Sequence, residues 1–258
     1  GRDSPNPRSC TMPPMTGGTA WRSPATERMF LRIALSAIIA GVLSGALLTA
    51  LQAHKVQPLI VAAEIYELQA ADSHAHGHGD GEAHEAGTPV DDGERLILRL
   101  GTNVLLGVGF ALLLSATLVL TGRRLDWRQG ALWGLAGFAV FSLAPALGMP
   151  PELPGMAGGE LTERQAWWLG TVVATAIGLW ILLLVPAAWL KAIGVVLIVL
   201  PHGVGAPEAP AVVGSVPPEM AAAFVSATMV ANLVFWLVLG TLAATALARL
   251  GHSETHPA

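Results

Sequence analysis

Residues 30–53 read FLRIALSAIIAGVLSGALLTALQA and carry a single charge, on Arg32. As an α-helix rising 1.5 Å per residue, this stretch would reach about 36 Å, more than the ~30 Å hydrocarbon core of a bilayer. It also holds Gly41 and Gly45, four residues apart, a spacing that lets another helix approach closely in lipid. The stretch therefore predicts a membrane-spanning helix and, with it, the class of the fold.

The composition of the whole chain agrees with this prediction. Of its 258 residues, 53% are hydrophobic and 12% are charged, whereas a soluble domain carries about 25% charged residues. The chain has no basic patch, which argues against nucleic acid as a partner. The single cysteine, Cys10, excludes an internal disulfide framework and a metal site built from several thiolates.

Further apolar blocks follow the first one at intervals along the chain. They occupy residues 96–120, 130–147, 167–186, 190–204 and 219–250. The block at 190–204 is short or broken. The sequence therefore predicts an all-α, polytopic transmembrane helical bundle of five to six spans within residues 29–250.

The distribution of basic residues favours six spans with both termini in the cytoplasm, because basic residues in short loops favour that side. In this arrangement the residues on the inner side are Arg28, Arg32, Arg123, Arg124, Arg128, Lys191 and Arg249. The exceptions on the outer side are Lys55, Arg95, Arg99 and Arg164.

The segments that flank the apolar blocks differ from them in composition. Residues 1–28 are rich in Pro, Gly, Ser and Thr, and we predict a disordered extension upstream of a natural start at Met29. Residues 251–258 form a short tail.

The first loop contains a histidine-rich ribbon, DSHAHGHGDGEAHEAG, at residues 72–87. Its histidines are His74, His76, His78 and His84. On a flexible, glycine-rich chain these side chains can turn toward one ion, and imidazole suits divalent transition metals. The sequence thus favours metal capture, and a solvated connector without a metal role is the alternative.

Three polar segments lie beside the apolar blocks, all on the outer side of a six-span arrangement. They are LQAHKVQPLIVAAEIYE, FSLAPALGMPPELPG and LPHGVGAPEAP, and they supply His54, Glu64, Glu152 and His202. Polar groups near a bilayer are costly and often functional, so we predict that these four side chains converge into one ion-entry site. The alternative is that they are helix caps and interfacial carboxylates. For Asn103 and Asn232, deeper in their spans, hydrogen bonding between helices is favoured over a role in an ion path.

The chain lacks the common catalytic motifs. It has no G-x-x-x-x-G-K-[ST] nucleotide loop, no H-E-x-x-H helix and no G-x-S-x-G elbow, and we predict that it is not an enzyme.

The polar segments also resemble a known family. The stretches MFLRIALSAIIAGVLSGALLTALQ, QPLIVAAEIYE, GLAGFAVFSLAPALGMPPELPG, QAWWLGT and PHGVGAP, together with the histidine-rich insert, are similar to CbtA, a predicted cobalt transporter subunit. The resemblance implies a bacterial integral membrane protein of about five spans that serves cobalt supply for cobalamin synthesis. It also implies a small one-span partner, CbtB, which carries its own histidines. Glu64, Glu152 and His202 stand in the matching motifs.

Taken together, the sequence predicts a multi-pass protein of the bacterial inner membrane that takes up cobalt(II) or a similar divalent ion. No permanently bound cofactor is expected, and the ion is cargo. Two alternatives stay open: a metal-binding accessory that does not conduct ions, and a structural membrane subunit. The sequence also leaves open a homo-oligomer.

Overall fold

A computed structural model describes residues 24–75, 92–122, 126–156, 158–207 and 216–252. These residues form helices and connecting turns, and the described ranges contain no β-strand. The elements in chain order are α1 (Pro24–Leu51), a π-helical turn (Gln52–Val56), α2 (Gln57–Ala75), α3 (Asp92–Thr121), α4 (Trp127–Phe138), a second π-helical turn (Ala139–Leu143), α5 (Ala144–Gly148), α6 (Leu161–Leu184), α7 (Ala188–Val204) and α8 (Pro218–His252).

The predicted spans are confirmed as helices, with some changes at their ends. Five apolar helical segments are long enough to cross a membrane, and α7 is a shorter apolar helix. The first is the longest, because the apolar segment Thr26–Gln69 runs without interruption through α1 and into α2. The helix already begins at Pro24, so the last residues of the predicted disordered extension are helical.

Both π-helical turns end two residues before a proline, at Pro58 and Pro145. A proline has no amide hydrogen, and its ring collides with the carbonyl four residues earlier, so the helix adjusts locally around it. After Pro58 the chain returns to a regular helix. After Pro145 it continues only to Gly148, because Pro150 and Pro151 follow.

The centre of the bundle is formed by α1, α3, α4 and α8. Leu239, Ala243 and Trp236 of α8 are almost fully buried against the other three helices. Glycines set the distance between the helices. A Cβ atom on Gly45 would lie 2.7 Å from the carbonyl oxygen of Asn103, and one on Gly134 would collide with the carbonyl of Trp236. The predicted close packing at small residues is therefore present.

The two chain ends of the bundle lie together. The Arg32 guanidinium of α1 donates to the carbonyl oxygen of Leu247 in α8, at 3.5 Å. We call this the terminal end, and the opposite end, where α5 meets α6, the Glu152 end. Because the described chain starts and finishes at the terminal end, it passes between the two ends an even number of times.

The short helix α7 supplies the sixth pass. It runs antiparallel to α6, with Gly194 against Gly178 near one end of the pair. Near the other end, Trp167 Nε1 donates to the carbonyl oxygen of Pro201 at 3.3 Å. The 17 residues of α7 extend about 25 Å. The five-span number implied by the family resemblance corresponds to the five long segments.

Candidate functional site

Glu152 lies in the proline-broken segment between α5 and α6. Its Oε2 atom is 2.8 Å from Nη2 of Arg164, in the first turn of α6, and about a quarter of each side chain is exposed. The segment cannot be helical because Pro150, Pro151 and Pro154 interrupt it. The predicted break is therefore confirmed, and it places Glu152 against the start of α6.

The Arg164 guanidinium is held from three directions. Its Nη2 atom binds Glu152, and its Nε donates to the thioether sulfur of Met149 at 3.4 Å. On the third side lies Gly158, where an added Cβ would be 2.6 Å from Nη1 of Arg164 and 3.3 Å from Oε2 of Glu152. One side chain thus occupies the space between a carboxylate, a thioether and a loop backbone.

A cavity of about 280 Å³ lies beside this ion pair. Met149, Pro150 and Arg164 form one side of it, and the second π-helical turn contributes Phe141 and Ser142. Helix α8 contributes Thr228, Met229 and Asn232. The Asn232 side-chain NH₂ group donates to the carbonyl of Thr228 in its own helix, at 3.0 Å, and the Thr228 hydroxyl is buried without a hydrogen-bond partner. Amide, hydroxyl and thioether groups therefore line a space inside a largely apolar bundle.

His202 lies near the end of α7 and contacts Trp167 of α6. The two rings meet edge to face with centroids 6.0 Å apart. Trp167 also lies against Gly148, where an added Cβ would contact its ring. The indole thus contacts both His202 and the end of α5.

Glu64 and His54 belong to a different seam of the bundle. Glu64 of α2 is 3.7 Å from Arg95 of α3, and both side chains are about 40% exposed. His54 lies in the first π-helical turn and is exposed.

The seam between α1–α2 and α3 continues inward as a row of polar contacts. Arg99 donates to the side-chain oxygen of Gln57. One turn further along α3, the Asn103 side chain donates to Thr49 Oγ1 at 3.0 Å and to Gln52 Oε1 at 2.7 Å. Asn103 is buried, and the hydrogen bonds between helices predicted for it are present.

The predicted convergence of four ligands is not found. Among the described residues, no three His, Cys, Asp or Glu side chains form a group that could hold a metal ion. Glu64 pairs with α3 and Glu152 with α6, while His202 packs on an indole and His54 faces outward. The physical reason is that the three polar segments are attached to different helices, whose packing is fixed by glycine contacts elsewhere.

The histidine-rich ribbon is described only at its start. His74 lies in the last turn of α2, which ends at Ala75, so the ribbon begins as helix. His76, His78 and His84 lie outside the described residues.

Sequence reasoning missed the arginine partners of both carboxylates. Arg95, Arg99 and Arg164 are three of the four exceptions to the predicted charge distribution, and each contacts a glutamate or a glutamine. The available signal was their position: each is a basic residue on the predicted outer side, where basic residues are scarce.

Glu160 lies just before α6, outside the spans, and the pKa of its carboxyl group is shifted. Its side chain accepts from the backbone N–H of Glu163 at 2.9 Å and caps the helix. This hydrogen bond lowers the pKa of Glu160 from its ordinary value, because the charged form is the better acceptor.

Comparison with known proteins gives one match. A family model described as "Probable cobalt transporter subunit (CbtA)" matches residues 30–248, which is most of the chain. No curated protein matches the chain, and neither does any solved structure.

Proposed function

The chain belongs to the CbtA family, and from that premise we propose that it carries cobalt(II), or a similar divalent ion, across the bacterial inner membrane for cobalamin synthesis. The described part of the chain is a membrane-like bundle of apolar helices. A transporter subunit needs a place where a hydrated ion can exchange water for protein ligands.

The observation that carries the proposal is the polar cavity beside the Glu152–Arg164 ion pair. Non-helical backbone at the level of a membrane is tolerated where it lines a cavity. Here the broken segment lines the cavity with Met149, α8 lines it with Asn232, and Arg164, which also lines it, pairs with Glu152. Carboxylate, thioether and amide ligands are few and differ in kind, so they would hold a cobalt ion weakly enough to release it.

The other predicted ligands take supporting places in this proposal. His74, at the end of α2, and His76, His78 and His84, on the chain that follows, collect ions at the outer surface. Glu64 and His54, on the neighbouring seam, and His202, beside Trp167, do not line the cavity and serve as separate weak contacts for arriving ions. The terminal end, with Arg32 and Arg249, faces the cytoplasm.

The subunit character of the family implies a partner. We propose a small one-span protein with its own histidines, of the CbtB kind, which passes ions to the Glu152 end. The bilayer is the second partner, because large apolar side chains such as Leu105 and Leu120 lie on the outside of the bundle.

Flux of radioactive cobalt into sealed proteoliposomes tests the proposal. The full chain, reconstituted with and without the small partner, should admit cobalt(II), and Glu152→Ala should slow its entry. Glu163→Ala is the matched control, because it removes a nearby carboxylate and leaves the Glu160 cap of α6 in place. Cobalt binding without any entry, with the partner present, would favour a metal-binding accessory instead.

The collecting role of the ribbon has its own test. Deletion of residues 72–87 should raise the external cobalt concentration needed for half-maximal uptake and leave the maximal rate in place. Unchanged uptake at low cobalt would make the ribbon a connector. Unchanged cobalt-dependent growth after the same deletion would support a structural membrane subunit whose histidines are incidental.

A further inference from the structure

We infer that the Arg164 guanidinium is a resident cation that occupies the ion-entry position and must leave Glu152 before a divalent metal can bind there. This inference rests on the proposed function and deepens it, since it concerns how the same site is kept closed.

The contacts of Arg164 are those that an incoming ion would use. Its nitrogen atoms meet the Glu152 carboxylate at 2.8 Å and the Met149 sulfur at 3.4 Å. Both groups are metal ligands of the kinds that borderline divalent ions accept. Because a guanidinium and a metal ion cannot share these atoms, the two cations compete for one position.

The ion pair also explains how the site stays stable while it is empty. Glu152 is only about a quarter exposed, and a carboxylate withdrawn from water is costly without a partner of opposite charge. Arg164 supplies that charge and makes the pair neutral. A divalent ion would supply positive charge in place of the guanidinium and so competes with it for the carboxylate.

The structure leaves the displaced side chain a place to go. Arg164 lines the 280 Å³ cavity on one side and also a second, open depression of about 490 Å³. The second depression is bounded by Leu161, Gln165, Trp168 and Leu169 of α6 and by Met149. A rotation of the Arg164 side chain into it would free Glu152 and open the polar cavity toward Asn232.

The arrangement at Glu64 is different and provides a control. Arg95 is 3.7 Å from Glu64, and both side chains are about 40% exposed. Neither of them is among the described residues that line the 280 Å³ cavity, whereas Arg164 is. Loss of Arg95 therefore removes a positive charge at the same end of the bundle without opening the entry position.

The test compares variants whose effects have opposite signs. In proteoliposomes that contain the full chain and its small partner, Arg164→Gln should lower the cobalt(II) concentration for half-maximal flux by about fivefold, the size of effect expected for a partly exposed ion pair. Glu152→Gln should raise it, and the double variant should behave like Glu152→Gln. Arg95→Gln should leave it unchanged.

A purely structural ion pair gives a different pattern, which would overturn the inference. Both single variants would then shift the half-maximal concentration in the same direction, or only the thermal stability would fall. Arg164→Lys covers the case in which Arg164→Gln does not fold, because it keeps the charge but loses the forked contact with Glu152 and Met149. It should still lower the half-maximal concentration, and an increase would count against the inference. Absence of cobalt flux in the wild-type protein is a separate result that removes the proposed function itself.

Discussion

The third apolar segment, Trp127–Gly148, packs against α8 in two different ways along its length. In its first half, Gly130 and Gly134 bring the backbone of α4 into contact with Gly240 and Trp236, with no room for another atom. In its second half, after the π-helical turn, the same segment lies apart from α8, and the 280 Å³ cavity separates them. One pair of helices is thus closed toward the terminal end and open toward the Glu152 end.

The difference lies in residue size and in proline. In lipid there is little hydrophobic gain when helices meet, so close contact depends on small residues and on packing. Where glycine recurs every four residues, the backbones touch. Pro145 disturbs the helix and Pro150 ends it, so α5 does not run alongside α8. Polar groups can therefore occupy the cavity between them.

The largest effect is expected at the closed half. Gly134→Ala should destabilise the protein by about 3 kcal/mol, because the new methyl group collides with the Trp236 carbonyl and forces the helices apart. Gly170→Ala is the matched control: its Cβ would meet no atom within 4 Å, and it should be neutral or slightly stabilising. Unfolding in mixed detergent micelles measures both. Equal stability of the two variants would mean that glycine does not determine the close contact between α4 and α8.

A substitution in the open half should change cobalt transport more than it changes protein stability. Asn232→Leu puts an apolar group in the cavity and breaks only a hydrogen bond within α8. Cobalt flux should fall about tenfold, the equivalent of ~1.4 kcal/mol of lost ion binding. The unfolding transition should stay close to that of the wild type. A variant with normal flux would show that the cavity lies off the ion path.

Asn103→Leu is the counterpart in the seam between α1 and α3. It removes two hydrogen bonds between helices, to Thr49 and Gln52, and should cost about 1 kcal/mol of stability. Flux per folded molecule should change little. Asn103 would then be a residue that holds helices together, and Asn232 a residue that borders the ion path. The opposite pattern, stable protein with lost flux, would move the path to the α1–α3 seam.

The smallest effect is expected at the start of α6, which carries Arg164. Because the capping hydrogen bond lowers the pKa of Glu160, its contribution to stability is present above the ordinary carboxyl pKa and is lost as the pH falls through the lowered one. Thermal midpoints of the wild type should therefore exceed those of Glu160→Gln slightly at neutral pH, and the difference should shrink in acid. Glu163→Gln keeps the backbone donor and serves as the control. A difference that grows in acid would contradict the capping role.

Much of the fold was predictable because each helix depends on local composition. Residues 96–120 and 219–250 are long and apolar, and they are the central parts of α3 and α8. The break after Gly148 was predictable from three nearby prolines. The continuation of α1 into α2 was not, because Pro58 directly follows a π-helical turn and does not end the helix.

The candidate site was predictable only in part. Glu152 was identified, because a carboxylate among prolines beside an apolar block is unusual. Its pairing with Arg164 was not, because the two residues lie on opposite sides of a loop whose path the sequence does not determine. The grouping of Glu152 with Glu64 and His202 was wrong for the described residues, since proximity to the same end of a bundle does not place side chains in contact.

By itself, the sequence determined that this protein is a helical membrane bundle, because the cost of burying charge in lipid leaves long uncharged runs that can be recognised one at a time. It also determined where the helices break, because proline acts on its own backbone. Only the tertiary structure decided which helices touch, that α7 returns to the Glu152 end, and which cation each carboxylate meets. Those facts depend on contacts between residues far apart in the chain, where a single glycine or arginine fixes the distance.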